Sequence, residues 1–481
     1  MRKPTFLRRT ISATLVSAAV LTALTMAQPA QAAPRTGSGS TPTHADRAAL
    51  AAGSHRQAAP RVVTGRKAVD RLGTSHLDQL AAKSNLSRAQ VEKQLLGDPT
   101  LKVSDQGTVQ VGDALGGTGA TVTTGSNDNS LLFPVGNTLY LHSRPSSPLK
   151  IYLDFNGNTT TGTVWNTPSW SNMASFTTPV WGRDNDPTTF NTAEASTIQQ
   201  SYASVAEDFA PFNVDVTTQD PGIDGLRRSS TSDPSYGVRV VVGINNWLNV
   251  TNSGYAQIGA FNWINSDNPA FCFAGATTPT KQIAECISHE TGHTVGLYHD
   301  GTATEAYYAG NANWAPIMGN PYGRPMTQWS SGQYPGANNT QNDLNVIGSY
   351  LGWAADDYVG TTATTAVLTP GTTRSGYISY GTGEYDAFTF TLASTRTINV
   401  QSWEWFQAVD PDLNQRVQIT NSAGTVVATS NPTGTTRTNM NVTLPAGKYY
   451  AFVDGVGEGS LSAGYSSYAS MGIFNILIQY V

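Results

Sequence analysis

The sequence predicts a mixed α/β domain followed by an all-β sandwich, and three observations lead to this prediction. Strands and amphipathic helices alternate between residues 131 and 353. After residue 353 the helical periodicity stops, and short alternating segments separated by Gly, Pro and Asn follow one another. One short segment of the first region, residues 289–300, carries three of the chain's seven histidines. The length of 481 residues also exceeds that of one ordinary domain.

The N-terminal segment has the features of a cleavable export signal. Four basic residues lie within the first nine, an apolar stretch runs from Ile11 to Met26, and a small-x-small cleavage site ends at Ala32. A membrane anchor is the alternative, but the apolar stretch is short and is interrupted by Ser and Thr. We therefore predict that residues 1–32 are a signal peptide and that the protein is secreted and extracellular.

The composition of the chain argues against nucleic acid and membranes as partners. The net charge is −5, and only 13% of residues are charged. The sequence contains no basic patch that would indicate nucleic-acid binding and no basic amphipathic helix that would indicate binding to a lipid surface. No later segment is long and apolar enough to cross a bilayer. We expect a monomer without nucleic-acid or membrane partners.

Residues 33–130 are predicted to be a propeptide that contains a small folded module. Residues 33–60 lack periodicity and are predicted to be disordered, and 116–130 read as a Gly/Thr linker. Between them we predict a short helix at 76–83, a second helix opened by the capping box at Ser87, and a hairpin over 101–111. The alternative to a propeptide is a structural module that stays attached.

The alternating region supplies the elements of the α/β domain, which we place at residues 131–353. Alternating or continuous apolar residues predict the strands, and periods of three and four predict the helices. The expected strands are 150–155, 212–216, 238–244 and 256–262, with the last of them at the sheet edge that would hold an extended substrate. The expected helices are 192–209, 280–297 and one after residue 340 that ends at Gly352.

The segment from His289 to Asp300 contains the candidate metal ligands and the candidate general base. His289 and His293 lie four residues apart and therefore share one face of a helix. The alternative interpretation is that this face is solvated and that its two histidines have no special function. However, Gly296 allows a left-handed turn after the helix, so His299 can return to the same point. Three imidazoles and a water form the open shell of a catalytic zinc, and Glu290 is placed to take a proton from that water.

This extended pattern resembles the metzincin clan of zinc endopeptidases, and Asp300 is similar to the residue found in its reprolysin-like members. Met318, next to Pro316 and Gly319, matches the methionine turn of that clan. The resemblance covers residues 140–352 and implies a twisted mixed sheet above an active-site helix. It also implies that His289, His293 and His299 bind zinc, that Glu290 is the general base, and that Met318 shapes the floor of the site. Two roles are open for Tyr322, which either reaches the site or stacks in the lower part of the domain, and the second is the favoured interpretation.

The chain contains two cysteines, Cys272 and Cys286. In an oxidising compartment they are expected to form a disulfide, although Cys286 as a metal ligand is the rival interpretation. Because the predicted propeptide contains no cysteine, any latency must come from steric occlusion or from a carboxylate such as Asp98 or Asp105.

Residues 354–481 are predicted to form the β-sandwich. Eight short strand candidates follow one another, and the segment 444–450 resembles bacterial pre-peptidase C-terminal domains. Calcium binding at Asp386, Asp410 and Asp412 is conceivable but unsupported, and solvated turn aspartates are the favoured interpretation. We assign binding, secretion or stability to this region.

Together these observations predict a secreted zinc endopeptidase that acts on proteins or peptides. The competing prediction is an extracellular binding or adhesion protein with a structural zinc site. A structural site would be closed by a fourth protein ligand, typically Cys or His, and the sequence shows no evident residue for that position.

Overall fold

The structure is a computed structural model of the chain. It describes residues 62–113, 130–184, 186–248, 252–379, 383–405 and 411–481, all of which belong to one compact unit. The predicted signal peptide, the predicted disordered start of the propeptide and most of the predicted linker lie outside the described residues. In the described ranges, no helix combines the length and the apolar composition that a membrane span requires.

Six helices have described bounds, and the sequence predicts most of them. They are α1 (Gly65–Lys83), α2 (Arg88–Gly97), α3 (Thr192–Asp208), α4 (Gly222–Leu226), α5 (Thr280–Thr294) and α6 (Asp343–Leu351). The predicted helix at 76–83 is the second half of α1, which is kinked at Gly73 with φ 63°. The capping box at Ser87 is confirmed, because its side chain accepts from the Gln90 amide while the Gln90 side chain returns to the Ser87 amide.

In the described residues before 353 the strands are β1 (Lys102–Val103), β2 (Val109–Asp113), β3 (Leu149–Asp154), β4 (Asn158–Thr161), β5 (Ser175–Thr178), β6 (Asp215–Thr217), β7 (Tyr236–Gly243), β8 (Gly254–Gln257), β9 (Ala270–Phe273), β10 (Trp314–Pro316) and β11 (Met326–Gln328). Seven of them form a mixed sheet in the order β1-β2-β8-β9-β7-β3-β6. Strands β6, β3, β7 and β9 are parallel, whereas β8 and β2 each pair antiparallel with their neighbours. The predicted mixed sheet is therefore confirmed.

The prediction for β8 is wrong in two respects. The strand ends at Gln257, and Gly259 takes a left-handed φ of 71° that turns the chain into a short 3-10 helix at Ala260–Asn262. In addition, β8 is not an edge of the sheet, because β2 pairs along it from Gln110 to Asp113. Two strands of the predicted propeptide thus extend the sheet of the next region.

The core of the α/β region lies between the sheet and the helices beneath it. Buried side chains of β7, including Val240 and Val242, share one apolar cluster with Ile198 of α3 and Ile287 of α5. The continuous apolar composition of β7 agrees with a strand buried on both faces. Helix α5, which carries the histidine motif, is therefore fixed against the sheet by its apolar side.

The predicted disulfide between Cys272 and Cys286 is confirmed. It joins β9 to α5, three residues before His289, so Cys286 is not available as a metal ligand. The two cysteines are 14 positions apart, and closing a loop of that size stabilises a fold by about 3 kcal/mol in the chain-entropy model. The bond fixes the middle of the histidine helix to the sheet.

The C-terminal region is an antiparallel β-sandwich, as predicted. Its eight strands are β12 (Arg374–Ile378), β13 (Asp386–Leu392), β14 (Arg396–Glu404), β15 (Gln415–Asn421), β16 (Val426–Ser430), β17 (Thr438–Leu444), β18 (Gly447–Gly455) and β19 (Gly472–Tyr480). They form two sheets, β12-β19-β14-β17 and β13-β18-β15-β16. Inward-facing residues such as Phe388, Val417 and Ile476 fill one apolar core between the sheets.

Buried acidic side chains join the sandwich to the α/β region. Glu207 and Asp208 end α3, and the Asp412 amide donates to the Glu207 carboxylate at 3.1 Å. Burial raises the pKa of Asp208 to about 7, and it raises the pKa values of Glu207 and Asp412 well above their ordinary range. These carboxyl groups therefore hold protons in the folded protein at a pH where the unfolded chain has lost them.

This proton binding makes stability depend on pH. Because the folded state binds more protons than the unfolded state above pH of about 4, the free energy of unfolding should fall as pH rises through about 7. The Asp412→Asn variant lacks one of these acids. Its free energy of unfolding should therefore fall less between pH 5 and pH 8 than that of the wild type. Urea denaturation at both pH values measures this. Asp224→Asn, at an exposed site, is the control and should keep the wild-type dependence; equal slopes for all three proteins would contradict the interpretation.

Candidate metal centre

Three histidine side chains converge on one point beneath the sheet. His289 and His293 lie one turn apart on α5, and both are fully buried. Each ring donates its Nδ1 hydrogen to a backbone carbonyl, His289 to Ile317 at 2.7 Å and His293 to Leu297 at 2.8 Å. These bonds leave both Nε2 atoms as acceptors that point to the same place.

His299 reaches this place because the helix ends three residues before its predicted end at residue 297. Helix α5 stops at Thr294, and Gly296 takes a φ of 93°. The Leu297 amide then returns to the Gly292 carbonyl at 3.0 Å. This turn brings His299 Nε2 to 3.1 Å from His293 Nε2. The structure thus assembles all three histidines that the sequence singles out.

Asp113, the last residue of β2, completes the group. Its Oδ1 lies 2.8 Å from His299 Nε2, and its Oδ2 lies 3.5 Å from His293 Nε2 and 3.7 Å from His289 Nε2. The Tyr307 hydroxyl donates to Asp113 Oδ1 at 2.9 Å. The sequence analysis expects no fourth protein ligand, and the structure corrects this expectation.

The four side chains fit a metal ion. Their ligand atoms all lie within 4.8 Å of one another, and all four residues are buried. His289 Nε2 and Asp113 Oδ2 are buried and have no hydrogen-bond partner among the described residues, and they lie 3.7 Å apart. Ligands about 2.0–2.1 Å from one zinc lie about 3.3 Å apart in a tetrahedron, which is close to the observed separations. Imidazole nitrogens with one carboxylate oxygen are a donor set that suits zinc.

The buried carboxylates of the group also favour a positive charge at its centre. Burial lowers the pKa of His289 to about 3, so its ring is neutral as a ligand must be. Burial would also lower the pKa of His299, but the carboxylates of Asp98 and Asp113 raise it to about 10. In the metal-free protein an imidazolium therefore supplies the positive charge between two acids. A divalent ion bound at the same point supplies that charge instead.

Asp98 contacts the site from outside. Its Oδ2 lies 2.5 Å from His299 Nδ1, and its Oδ1 accepts from the Thr100 amide at 2.8 Å. Burial alone would raise the pKa of Asp98, yet His299 beside it holds that pKa below its ordinary value. Asp98 therefore orients His299 but does not face the other two histidines. Asp105, the other carboxylate named from the sequence, accepts from the Ser169 hydroxyl and does not belong to the group.

Glu290 lies beside the histidines with an unpartnered carboxylate. It is fully buried, and neither oxygen has a hydrogen-bond partner within the described ranges. Burial and the nearby Asp113 carboxylate raise its pKa well above the ordinary range. The backbone of β8 passes directly over it, because a Cβ added to Gly254 would lie 1.8 Å from Glu290 Oε1. Only glycine fits at this position of the strand.

Met318, which the sequence analysis assigns to a methionine turn, lies beside Gly292 of α5. It is fully buried, its carbonyl accepts from the Asp300 amide at 2.8 Å, and a Cβ added to Gly292 would lie 2.6 Å from its Sδ. The preceding carbonyl, of Ile317, holds His289. Met318 therefore supports the helix and the chain that returns His299.

Two tyrosines lie near the group. Tyr307 packs against the His299 ring at a centroid distance of 4.2 Å, and the sequence analysis does not identify it. No local signal marks it, because only the course of the loop brings it back to the site. Tyr322 is buried, and its pKa is raised well above its ordinary value by burial and then by the charges of Glu290 and Asp113. Tyr322 thus lies closer to the site than the sequence predicts.

The aspartates considered for calcium do not form one site. Asp386 is buried and lies with Asp356 and Asp357 in a separate acidic group, whereas Asp412 belongs to the acids that join the sandwich to the α/β region. Asp410 lies outside the described residues.

No protein-family model matches the chain, and no curated protein matches it. Among solved structures, the pre-peptidase C-terminal domain of a collagenase from Bacillus anthracis matches at 16% identity and a TM-score of 0.18, covering 26% of this chain and 98% of that domain. Aeromonas hydrophila PliG, a periplasmic inhibitor of g-type lysozyme, matches at 14% identity and 0.16, covering 24% and 98%. The carbohydrate-binding module CBM36 in complex with calcium and xylotriose matches at 17% and 0.15, covering 24% and 93%.

The close approach of β8 to Glu290 is testable by substitution. Gly254→Ala should lower the free energy of unfolding by about 1–3 kcal/mol, because the added methyl overlaps the buried Glu290 side chain and forces it to shift. Gly275→Ala is the matched control, since an added Cβ there has nothing within 4 Å. Urea denaturation of both variants measures the difference. Two equally stable variants would show that β8 does not press on Glu290.

Proposed function

We propose that this protein is a secreted zinc-dependent endopeptidase that hydrolyses peptide bonds of proteins or peptides. His289, His293 and His299 would hold the zinc, and Glu290 would be the general base. The observation that carries the proposal is the arrangement of these residues in one buried group. Three imidazoles point their Nε2 atoms at one place, and a carboxylate without a hydrogen-bond partner among the described residues lies beside them.

The backbone gives the histidines a fixed geometry. The carbonyls of Ile317 and Leu297 hold two rings in one tautomer and one orientation, so binding a metal requires little rearrangement of α5. The disulfide at Cys286 fixes the middle of the same helix, and Met318 supports it at Gly292, near its C-terminal end. Such rigidity is typical of sites built for chemistry on a bound group.

When zinc is bound, it supplies a Lewis acid that polarises a carbonyl and makes water acidic near neutral pH. The chain's own residues do the remaining work. Glu290 would take a proton from the attacking water and return it to the departing amine, because its carboxylate has no other hydrogen-bond partner to hold it. Burial of the group keeps bulk water from competing for that proton.

The alternative of a binding or adhesion protein with a structural zinc gains support from one observation. Asp113 supplies a fourth ligand, and structural zinc sites are closed by four protein ligands. Two observations favour the enzyme. Asp113 comes from a different module than the histidines, and a buried Glu290 without a partner costs stability that a purely structural site has no reason to accept.

Glu290→Gln tests the proposed chemistry because it keeps the shape of the side chain and removes the base. Secreted protein from the wild type and the variant should bind one zinc each, while hydrolysis of a denatured protein should fall by about 10²–10⁴-fold in the variant. A zinc chelator should abolish hydrolysis by the wild type.

Glu305→Gln is the matched control, since it makes the same change at an exposed position and should leave hydrolysis unaltered. A Glu290→Gln protein that keeps its zinc and its full activity would refute the assigned role. Absence of hydrolysis by every secreted form of the wild type, with zinc present, would favour the structural alternative.

A further inference from the structure

We propose that the C-terminal sandwich is a positioning part of the metal centre, and that Gln328 is the positioning residue through which it holds His289. This inference rests on the metal binding of the proposed function, although it does not depend on which substrate is hydrolysed. It gives residues 354–481 a role at the site, whereas the sequence leaves binding, secretion and stability open for them.

A short path of hydrogen bonds leads from the sandwich to a candidate metal ligand. The Gln328 side chain donates from Nε2 to the backbone carbonyl of Asp412, which lies in the sandwich. The backbone carbonyl of Gln328 accepts from the Ile317 amide at 2.9 Å, and the Ile317 carbonyl accepts from His289 Nδ1 at 2.7 Å. The ring of His289 is therefore oriented by a peptide group that Gln328 fixes from its other side.

Burial and hydrogen bonds hold the Gln328 side chain in one orientation. It is 2% exposed, and its Oε1 accepts from the Trp314 indole at 3.0 Å. Its strand, β11, runs parallel to β10, with Pro316 directly opposite Gln328. Both groups of the side-chain amide are therefore used. Loss of the bond to Asp412 would leave a buried donor without a partner, so the contact with the sandwich and the position of β11 depend on each other.

A second contact of Asp412 reaches the residue before His289. The Asp412 carboxyl adjoins the Asp208 carboxyl at the end of α3, and Asp208 accepts from the Ser288 hydroxyl. One residue of the sandwich is thus linked both to the strand that contains Gln328 and to the helix that contains His289.

The loop between β18 and β19, residues 456–471, packs against β10 from the sandwich side. Tyr465 of this loop is buried in a small apolar cluster that includes Trp314 of β10. Just before β10, Asn311 Nδ2 donates to the Gly464 carbonyl at 2.7 Å, and Asn311 Oδ1 accepts from the Trp314 amide at 3.1 Å. The sandwich therefore holds β10 through apolar packing as well as hydrogen bonds.

The end of the same loop enters the core of the α/β region. Ala469 and Met471 are 3% and 4% exposed, and they belong to the apolar cluster that contains Ile287 of α5 and Met318. Domains that share a buried apolar core do not move independently. The sandwich and the α/β region therefore form one unit around the metal centre, in agreement with the single compact unit of the described residues.

The zinc affinity of the full-length secreted chain, measured by competition with a chromophoric chelator, tests this role. Gln328→Met keeps the length of the side chain and removes both of its hydrogen bonds. Zinc should then bind about three- to tenfold more weakly, which is less than the roughly 10–100-fold typical of a direct partner of a metal ligand. The absorption bands of the cobalt-substituted protein should also shift, because the His289 ring is less firmly oriented.

Gln199→Met is the matched control. Gln199 is also fully buried and also joins two segments, since its Oε1 accepts from the Phe133 amide at 2.9 Å and its Nε2 donates to the Thr138 hydroxyl at 2.9 Å. This variant should lose stability in urea as Gln328→Met does, but it should keep the zinc affinity and the cobalt bands of the wild type.

Tyr465→Leu makes a change on the sandwich side of the contact, and it decides the question if Gln328→Met fails to fold. It should weaken zinc binding and shift the cobalt bands, because Tyr465 packs against β10. Tyr449→Leu, which makes the same change within the core of the sandwich, should do neither.

Wild-type zinc affinity and cobalt bands in folded Gln328→Met would overturn the proposal, and so would equal changes in this variant and in Gln199→Met. A wild-type chain that binds no zinc would refute both the positioning role and the proposed function. If the Gln328 and Tyr465 variants weaken zinc binding as expected but no form of the wild type hydrolyses protein, the positioning role is supported and the proposed endopeptidase activity fails.

Discussion

The structure depends on the convergence of three buried imidazoles, which backbone groups and a turn of the α/β region hold in position. Backbone carbonyls of Ile317 and Leu297 fix two rings, and the left-handed turn at Gly296 returns the third. Without a cation, a buried imidazolium at His299 must balance the acids around it. The fold therefore brings together donors that are stable as a group only with positive charge at their centre.

The site is built by two parts of the chain that are distant in sequence. The histidines come from α5 and the turn after it, whereas Asp98 and Asp113 come from the module before residue 114. A shared apolar core with Tyr298 and a shared sheet with β8 hold the two parts together. One arrangement thus explains the closed ligand shell and the covered sheet edge, which would otherwise be separate observations.

Much of this organisation follows from local sequence signals. The spacing of His289, His293 and His299, the capping box at Ser87 and the eight strands of the sandwich depend on periods and turns that neighbouring residues determine. Asp113 could not be predicted in this way. It follows a short alternating strand and becomes a ligand only because β2 pairs with β8, some 140 residues later. The covered edge of β8 has the same origin, since pairing between distant strands leaves no mark on either strand alone.

X-ray absorption at the zinc edge of the full-length secreted precursor tests the central claim most directly. The account predicts one zinc per chain, with three imidazole nitrogens and one carboxylate oxygen as its ligands, and replacement of that oxygen ligand in Asp113→Ala. A wild-type precursor that binds no zinc, or one whose ligand set is the same with and without the Asp113 carboxylate, would contradict it.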